Sequence, residues 1–340
     1  MTTISLPPAF RLARYRFTLE ALDPLHLPPF KGSALRGGFG HAFKRLVCFQ
    51  PKPCGERCEL GNACPYGYIF ETSPPEGSQV LRTFSEVPRP FVIEPPDDRR
   101  EEIPAGERLA FGLTLIGQGI NYLPYFIAAF RELGRTGLGR PFDTAQGSRR
   151  GKYRLLAMDA ITPSPSAGES RGGGESRPVY CAQDETIRAV NATIDAEAIE
   201  VRAATLSVER LTLEFLTPAR LKHKGRWVKE GPPFHVLIKT LLGRISSLSY
   251  FHCGQQLETD FRGLIDQAAG VKISSSRTEW EDWSRFSGRQ KQRVEMGGLV
   301  GRVTYDGDLS PYLPLLALGE LVHVGKGTVF GNGRYRVVGE

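Results

Sequence analysis

The two halves of this chain repeat one order of elements, and each half closes on the same kind of turn. Residues 12–20 (LARYRFTLE) alternate Tyr15, Phe17 and Leu19 against Arg14, Arg16 and Thr18, which predicts a strand. A helix is expected over 31–46, after the Pro28-Pro29 stop. Strand-like stretches follow at 66–71, 89–94 and 107–116, then an amphipathic helix over 121–133 capped by Asn121, and a last strand at 152–159. The second half reads as a strand at 206–216, helices at 234–251 and 256–269, strands at 271–281 and 299–305, a short helix at 311–318 and a strand at 334–338. In both halves the last helix runs into Leu-Gly and then a G-x-G turn. These are Leu133-Gly134 with Gly137-Leu138-Gly139, and Leu318-Gly319 with Gly325-Lys326-Gly327.

A repeated β-α-β-β-α-β order predicts an α+β chain of two tandem ferredoxin-like domains, residues 1–203 and 204–340. A Cys-rich loop interrupts the first. Residues 161–178, a Ser/Gly/Pro-rich run, are expected to form a flexible segment without a site. No apolar run approaches the ~20 residues that span a bilayer, and the N-terminal stretch has no signal-peptide pattern. A cytoplasmic protein with no membrane partner is therefore expected.

The loop holds Cys48, Cys54, Cys58 and Cys64 in the spacing C-x5-C-x3-C-x5-C, with Cys181 and Cys253 apart. In a reducing compartment a disulfide framework is disfavoured. Four thiolates could close a tetrahedral structural Zn²⁺ site and order the loop, while an Fe–S cluster and metal-free thiols stay open. Four sulfur ligands leave no open position for catalysis.

Lys and Arg number 44 against 37 Asp and Glu, a net charge of +7, and the cations are clustered. Residues 24–55 carry Lys31, Arg36, Lys44, Arg45 and Lys52 with no acid. Residues 218–229 carry Arg220, Lys222, Lys224, Arg226 and Lys229 with none. Residues 285–302 carry Arg285, Arg289, Lys291, Arg293 and Arg302 against Glu295 alone. Trp227, Trp283 and Phe286 lie beside them. Cations for phosphates and planar rings for bases are what single-stranded RNA requires.

Near the C-terminus, HVGKGTVFGNGRYR spaces Gly325, Gly327, Gly331 and Gly333 as G-x-G-x3-G-x-G. Such a loop exposes backbone N–H groups to an anion, or simply makes a tight turn. It is neither a P-loop nor a dinucleotide fingerprint. This loop, with LEFLTPARLK (213–222), WSRFSGRQ (283–290) and MGGLVGRVTY (296–305), resembles the C-terminal domain of CRISPR precursor-RNA processing endoribonucleases of the RAMP superfamily. PFKGSALRGGFGHAFKRLVC (29–48) and CPYGYIFE (64–71) resemble the N-terminal domain of one subgroup. The loop departs from the family pattern in having three residues, not five, between its G-x-G units, with Lys326 and Asn332 at their centres.

The resemblance implies an RNA-cutting enzyme without a metal cofactor, which turns a ribose 2′-hydroxyl on its own phosphodiester and leaves a cyclic phosphate. Its partners would be CRISPR repeat RNA, as precursor and mature guide, and other CRISPR effector subunits. A non-catalytic RAMP subunit holding guide RNA is the alternative. The chemistry needs an acid/base of histidine type and cations. His41 leads, because it lies about 140° from the centre of the apolar stripe of its helix and so faces out near Gly37 and Arg45. His323, which enters the glycine loop, is the second candidate. Lys31 and Lys44 are candidates for charge stabilisation, Arg36 for RNA contact and Lys326 for a phosphate.

Overall fold

The computed structural model describes residues 4–49, 58, 60, 63–72, 74, 87–144, 147–162, 175–287 and 292–338. It divides into two units, Leu12–Thr193, and Met1–Arg11 with Ile194–Glu340. The division thus falls before the helix Ala196–Ala203, not at 203/204, and the first residues of the chain belong with the second unit.

The first unit is built on strands β1 (Arg11–Ala21), β2 (Phe91–Glu94), β3 (Arg108–Ile116), β4 (Tyr153–Thr162) and β5 (Glu175–Cys181), in the antiparallel order β2-β3-β1-β4-β5. Helices α1 (Gly32–Val47), α2 (Pro65–Phe70) and α3 (Leu123–Thr136) complete it. The first four strands with α1 and α3 are the βαββαβ arrangement, and β5 is added at the edge. Alternation on β1 sends Tyr15, Phe17 and Leu19 inward, as the period-2 pattern requires. Phe17 meets Phe111 and Phe130, while Phe39 of α1 stacks on Phe126 and Phe130 of α3 at 4.5 and 5.1 Å.

Three local expectations are corrected. Residues 66–71 are not a strand. Pro65 opens a helical turn that stacks Tyr66 on Phe70 at 5.0 Å, and both rings meet Phe43. Aromatic alternation there reflects one helical face of four residues, too short for the two periods to be told apart. Asn121 caps nothing. Gly117–Tyr122 is a 3₁₀ turn, and α3 starts after Tyr122 with Pro124 in its first turn. The low-complexity run is shorter than expected, since 175–181 pairs with β4. Residues 163–174 lie outside the described residues.

The second unit has α4 (Ala196–Ala203), β6 (Arg210–Ala219), α5 (Phe234–Leu248), α6 (Phe261–Ala268), β7 (Lys272–Glu281), β8 (Gly298–Asp306), α7 (Leu313–Val322) and β9 (Tyr335–Val338). Its antiparallel order is β7-β8-β6-β9, the same arrangement again. α4 belongs here because Arg202 pairs with the buried Glu320 of α7 at 3.2 Å. Tyr335 donates its hydroxyl to the Leu316 carbonyl at 2.8 Å, fastening β9 to α7.

Candidate nucleic-acid interface

In the second unit α7 ends at His323, whose φ of 61° and ψ of 170° lie in a region that favours glycine. The glycine loop follows and folds back on the end of β6. Val324 N–H donates to the Gly333 carbonyl at 2.9 Å, Gly333 N–H to Pro218 at 3.0 Å and Lys326 N–H to Arg220 at 3.1 Å. Gly325, Gly327, Gly331 and Gly333 all have positive φ, between 72° and 89°. A Cβ on Gly325 would stand 2.5 Å from the Arg220 carbonyl oxygen, and one on Gly333 would collide with the carbonyl of Val324. The glycines are thus demanded by the path of the backbone. Lys326 is exposed at the tip, while Asn332 is buried and donates from Nδ2 to the Met296 carbonyl at 3.1 Å.

His323 does not serve as expected. It is fully buried, with Nδ1 3.2 Å from the Asn332 carbonyl oxygen, so its ring ties the two arms of the loop together. A buried ring in that position cannot reach a ribose hydroxyl. Its burial follows from the path of the loop, which sequence period does not encode.

Two hairpins meet this loop. In the first, Lys222–His223 pairs with Arg226–Trp227 across a turn at Lys224 and Gly225, both with positive φ. The Arg220 guanidinium lies 4.5 Å over the Trp227 ring and Lys222 Nζ lies 4.7 Å from it. Arg220 also donates to the Glu295 carbonyl and contacts the Met296 sulfur at 3.5 Å. Burial lowers its pKa. Lys222, Lys224 and Arg226 are exposed. His223 meets His235 of α5 edge to face at 5.4 Å. The His235 pKa is lowered, first by burial and then by His223, Lys224 and Lys239. In the second hairpin, Ser284–Ser287 pairs with Gln292–Glu295. The Arg285 guanidinium stacks 4.6 Å over Phe330 of the glycine loop, and Arg293 is exposed. Arg289 and Lys291 lie outside the described residues.

The structure therefore brings Arg220, Lys222, Lys224, Arg226, Arg285, Arg293 and Lys326 to one neighbourhood, joined through Met296. Sequence reasoning missed Met296 and Phe330 as organisers, and missed Lys229 5.6 Å over Trp280. The signal was present in each case as an aromatic or thioether residue beside a cation cluster.

In the first unit His41 is exposed on α1, as its helical phase predicts. A Cβ on Gly37, one turn before it, would meet no atom within 4 Å. The other two glycines serve packing. A Cβ on Gly38 would stand 2.8 Å from the Leu133 side chain, and one on Gly40 3.2 Å from the Phe70 ring. Lys44 lies 5.3 Å from the Tyr66 ring centre and Arg36 5.0 Å from that of Phe70. Arg45 reaches Thr136 Oγ1 at 3.2 Å and Glu132 at 3.8 Å. Lys31 is corrected. It is fully buried, and its ammonium donates to the carbonyls of Asp98 and Arg100, the latter at 2.8 Å. Burial lowers its pKa. It fastens the start of α1 to the 98–100 loop and is sealed from any substrate. Tyr15 is likewise in the core, its hydroxyl pushed up to about 12 by burial.

Of the Cys-rich loop, Cys48, Cys58 and Cys64 are described and Cys54 lies outside the described residues. Among the described residues no group of three or more His, Cys, Asp or Glu side chains could hold a metal ion, so the expected structural Zn²⁺ has no support. Among the described residues no helix is long and apolar enough to cross a membrane.

Residues 10–192 match a family model described as the AF_1859 N-terminal domain. Residues 213–335 match the model of the CRISPR-associated endoribonuclease Cas6. An uncharacterized protein of Archaeoglobus fulgidus is 26% identical over 318 residues, covering 92% of this chain and 93% of that one. Among solved structures, a Cas6 product complex superposes with a TM-score of 0.54 at 16% identity, over 96% of this chain and 99% of that chain. Thermus thermophilus Cas6 gives a TM-score of 0.51 at 15% identity, over 97% and 99%. At these identities the two structures carry the fold, twin ferredoxin-like units.

Proposed function

The chain belongs to the family of the AF_1859 N-terminal domain and carries the RAMP domain of CRISPR repeat-processing Cas6 endoribonucleases, and on that premise we propose that it matures CRISPR RNA by cutting repeat RNA without a metal cofactor. The observation that supports this reading is the outward imidazole of His41, beside the open side of Gly37 and one turn from Lys44 and Arg45.

The reaction needs little from the protein. A 2′-hydroxyl gives up its proton, its oxygen attacks the adjacent phosphorus, and the bond to the 5′-oxygen breaks. That oxygen takes up a proton. The products are a 2′,3′-cyclic phosphate and a 5′-hydroxyl end. An imidazole serves as the base for the first transfer or the acid for the second, and Lys44 offers positive charge to the crowded phosphorus centre. The second unit supplies affinity, with Lys326, Lys222, Lys224, Arg226 and Arg293 for phosphates, and the Arg220–Trp227 and Arg285–Phe330 stacks beside them.

One observation favours a second reading, a RAMP subunit that holds guide RNA without cutting it. Among the described residues no hydrogen bond orients the His41 ring. Incubation of pure protein with repeat RNA in EDTA decides. A single cut ending in cyclic phosphate, lost at least about 100-fold in His41→Ala with RNA affinity retained, is expected, since positioned acid/base groups contribute 10²–10⁴-fold. Intact RNA with wild-type protein supports the subunit reading, and full activity in His41→Ala removes His41 from the mechanism.

A further inference from the structure

The register of the second sheet places Arg277, Arg302, Glu214 and Arg336 in one row across β7, β8, β6 and β9. Arg277 faces Arg302, Glu214 faces Arg302, and Glu214 faces Arg336. Directly paired residues share a face. The adjoining row, Gly301, Phe215 and Tyr335, points into the core, with Phe215 at 2% exposure and Tyr335 at 1%. The arginine row therefore points away from that core, open at Arg277 and Arg302 and half-buried at Arg336 and Glu214. Arg277 is exposed, and the Arg302 side chain is 56% exposed.

Two of the three guanidiniums share a single carboxylate. Glu214 accepts from Arg302 Nε at 3.0 Å and from Arg336 Nε at 2.6 Å. Arg277 has no ion-pair partner among the described residues, and it sits opposite Arg302, a like-charge pairing that sheets avoid. The folded sheet gains nothing from that arrangement alone. An anion laid across the row would gain from it. The next row on the same face offers hydroxyls, Ser275, Thr304 and Thr212, with Thr212 and Thr304 hydrogen-bonded to each other at 2.8 Å. Neither row contains an aromatic residue, so nothing there can stack on a base. Four strands at the usual spacing span about 14 Å, enough for more than one phosphate.

We propose that this open face of the second sheet is an RNA-contact surface separate from the glycine loop, which holds the sugar–phosphate backbone through Arg277, Arg302 and Arg336 and reads no bases. The proposal rests on the RNA-processing reading above and extends it. Contacts of this kind fix position along the strand and carry no sequence information.

The test uses the whole chain and 2′-O-methylated repeat RNA, which cannot undergo the transesterification, with affinity measured over a range of salt. Arg277→Ala and Arg302→Ala are expected to weaken binding several-fold and to reduce the slope of log K against log salt by about 0.7 for each lost contact. A scrambled RNA should lose affinity by the same factor. Arg262→Ala, which removes a 93% exposed arginine on α6 of the same unit, should leave the slope as it is. Wild-type affinity and slope in Arg277→Ala and Arg302→Ala would overturn the proposal. So would an equal loss in Arg262→Ala, which would reduce the effect to net charge, or loss of an acidic protein partner with RNA binding intact. Arg277→Glu, on an exposed edge strand, keeps the test decisive if Arg302→Ala misfolds. Binding and cutting are separate readouts. A protein that binds RNA through this row but cuts nothing sinks the enzyme reading alone, and one that cuts with silent arginine variants sinks this proposal alone.

Discussion

Two histidines of the same intrinsic chemistry have opposite fates here, and the difference is burial. His41 stands on a helix whose phase can be counted, so its outward position was legible before any coordinates. His323 stands in a turn whose path depends on Pro218, Arg220 and Gly333, far away in sequence, and its burial was not legible. Lys31 failed for the same reason, because the carbonyls that receive it belong to residues 98 and 100. Glu214 gives a prediction at this scale. Burial pushes its carboxyl pKa up, but the bonds from Arg336 and Arg302 outweigh that and hold it below the ordinary 4.5. A carboxyl whose folded value is depressed contributes stability above its unfolded pKa, and that contribution disappears as pH falls through the folded value. Glu214→Gln should therefore unfold at lower temperature than wild type near neutral pH, by about 1–2 kcal/mol. The two should converge in acid below pH 4.5. Thermal unfolding of both proteins from pH 3 to 8 checks the convergence.

The glycine loop is the element on which the RNA-binding reading leans, and its glycines are not interchangeable. Gly333→Ala forces a methyl into the Val324 carbonyl at a φ of 72°. Strain of that kind costs on the order of 1–3 kcal/mol, so the variant should melt earlier and bind RNA more weakly than Gly37→Ala, whose methyl meets open space. Paired unfolding and binding curves for the two variants measure the contrast. The main strands and helices of both units were legible because alternation and helical phase persist over nine residues or more, as in β1, β3, β6 and α1. Short aromatic runs were not legible, since Tyr66 and Phe70 fit either period until Pro65 decides. The stretches around Trp227 and Arg285 were seen as cations beside rings but not as hairpins, because strand pairing and ring stacking are tertiary properties. The arginine row was invisible for a deeper reason: its members lie on four strands, and only the register aligns them.

At the scale of the whole molecule, one βαββαβ order occurs twice, and that order predicts both sheets. What it did not reveal is that the chain begins in its second unit. Ile4, Leu6 and Phe10 are at most 2% exposed. Ile4 N–H reaches the Pro311 carbonyl at 3.4 Å, and Ala9 N–H reaches Gln255 Oε1 at 3.0 Å. Removing residues 1–11 should destabilise the second unit by several kcal/mol, since each large buried side chain is worth about 1.5–3 kcal/mol. Hydrogen exchange of α5 through α7 in the shortened chain, compared with the first unit as internal reference, would show whether the loss is local. The same threading fixes an order of events during synthesis. A ribosome releases this apolar strap before residues 12–193 and its receiving surface after them, so the first unit can close while the strap still waits. The second unit is completed only after residues 194–338 have followed, and anything that captures the strap in the interval holds back that unit alone.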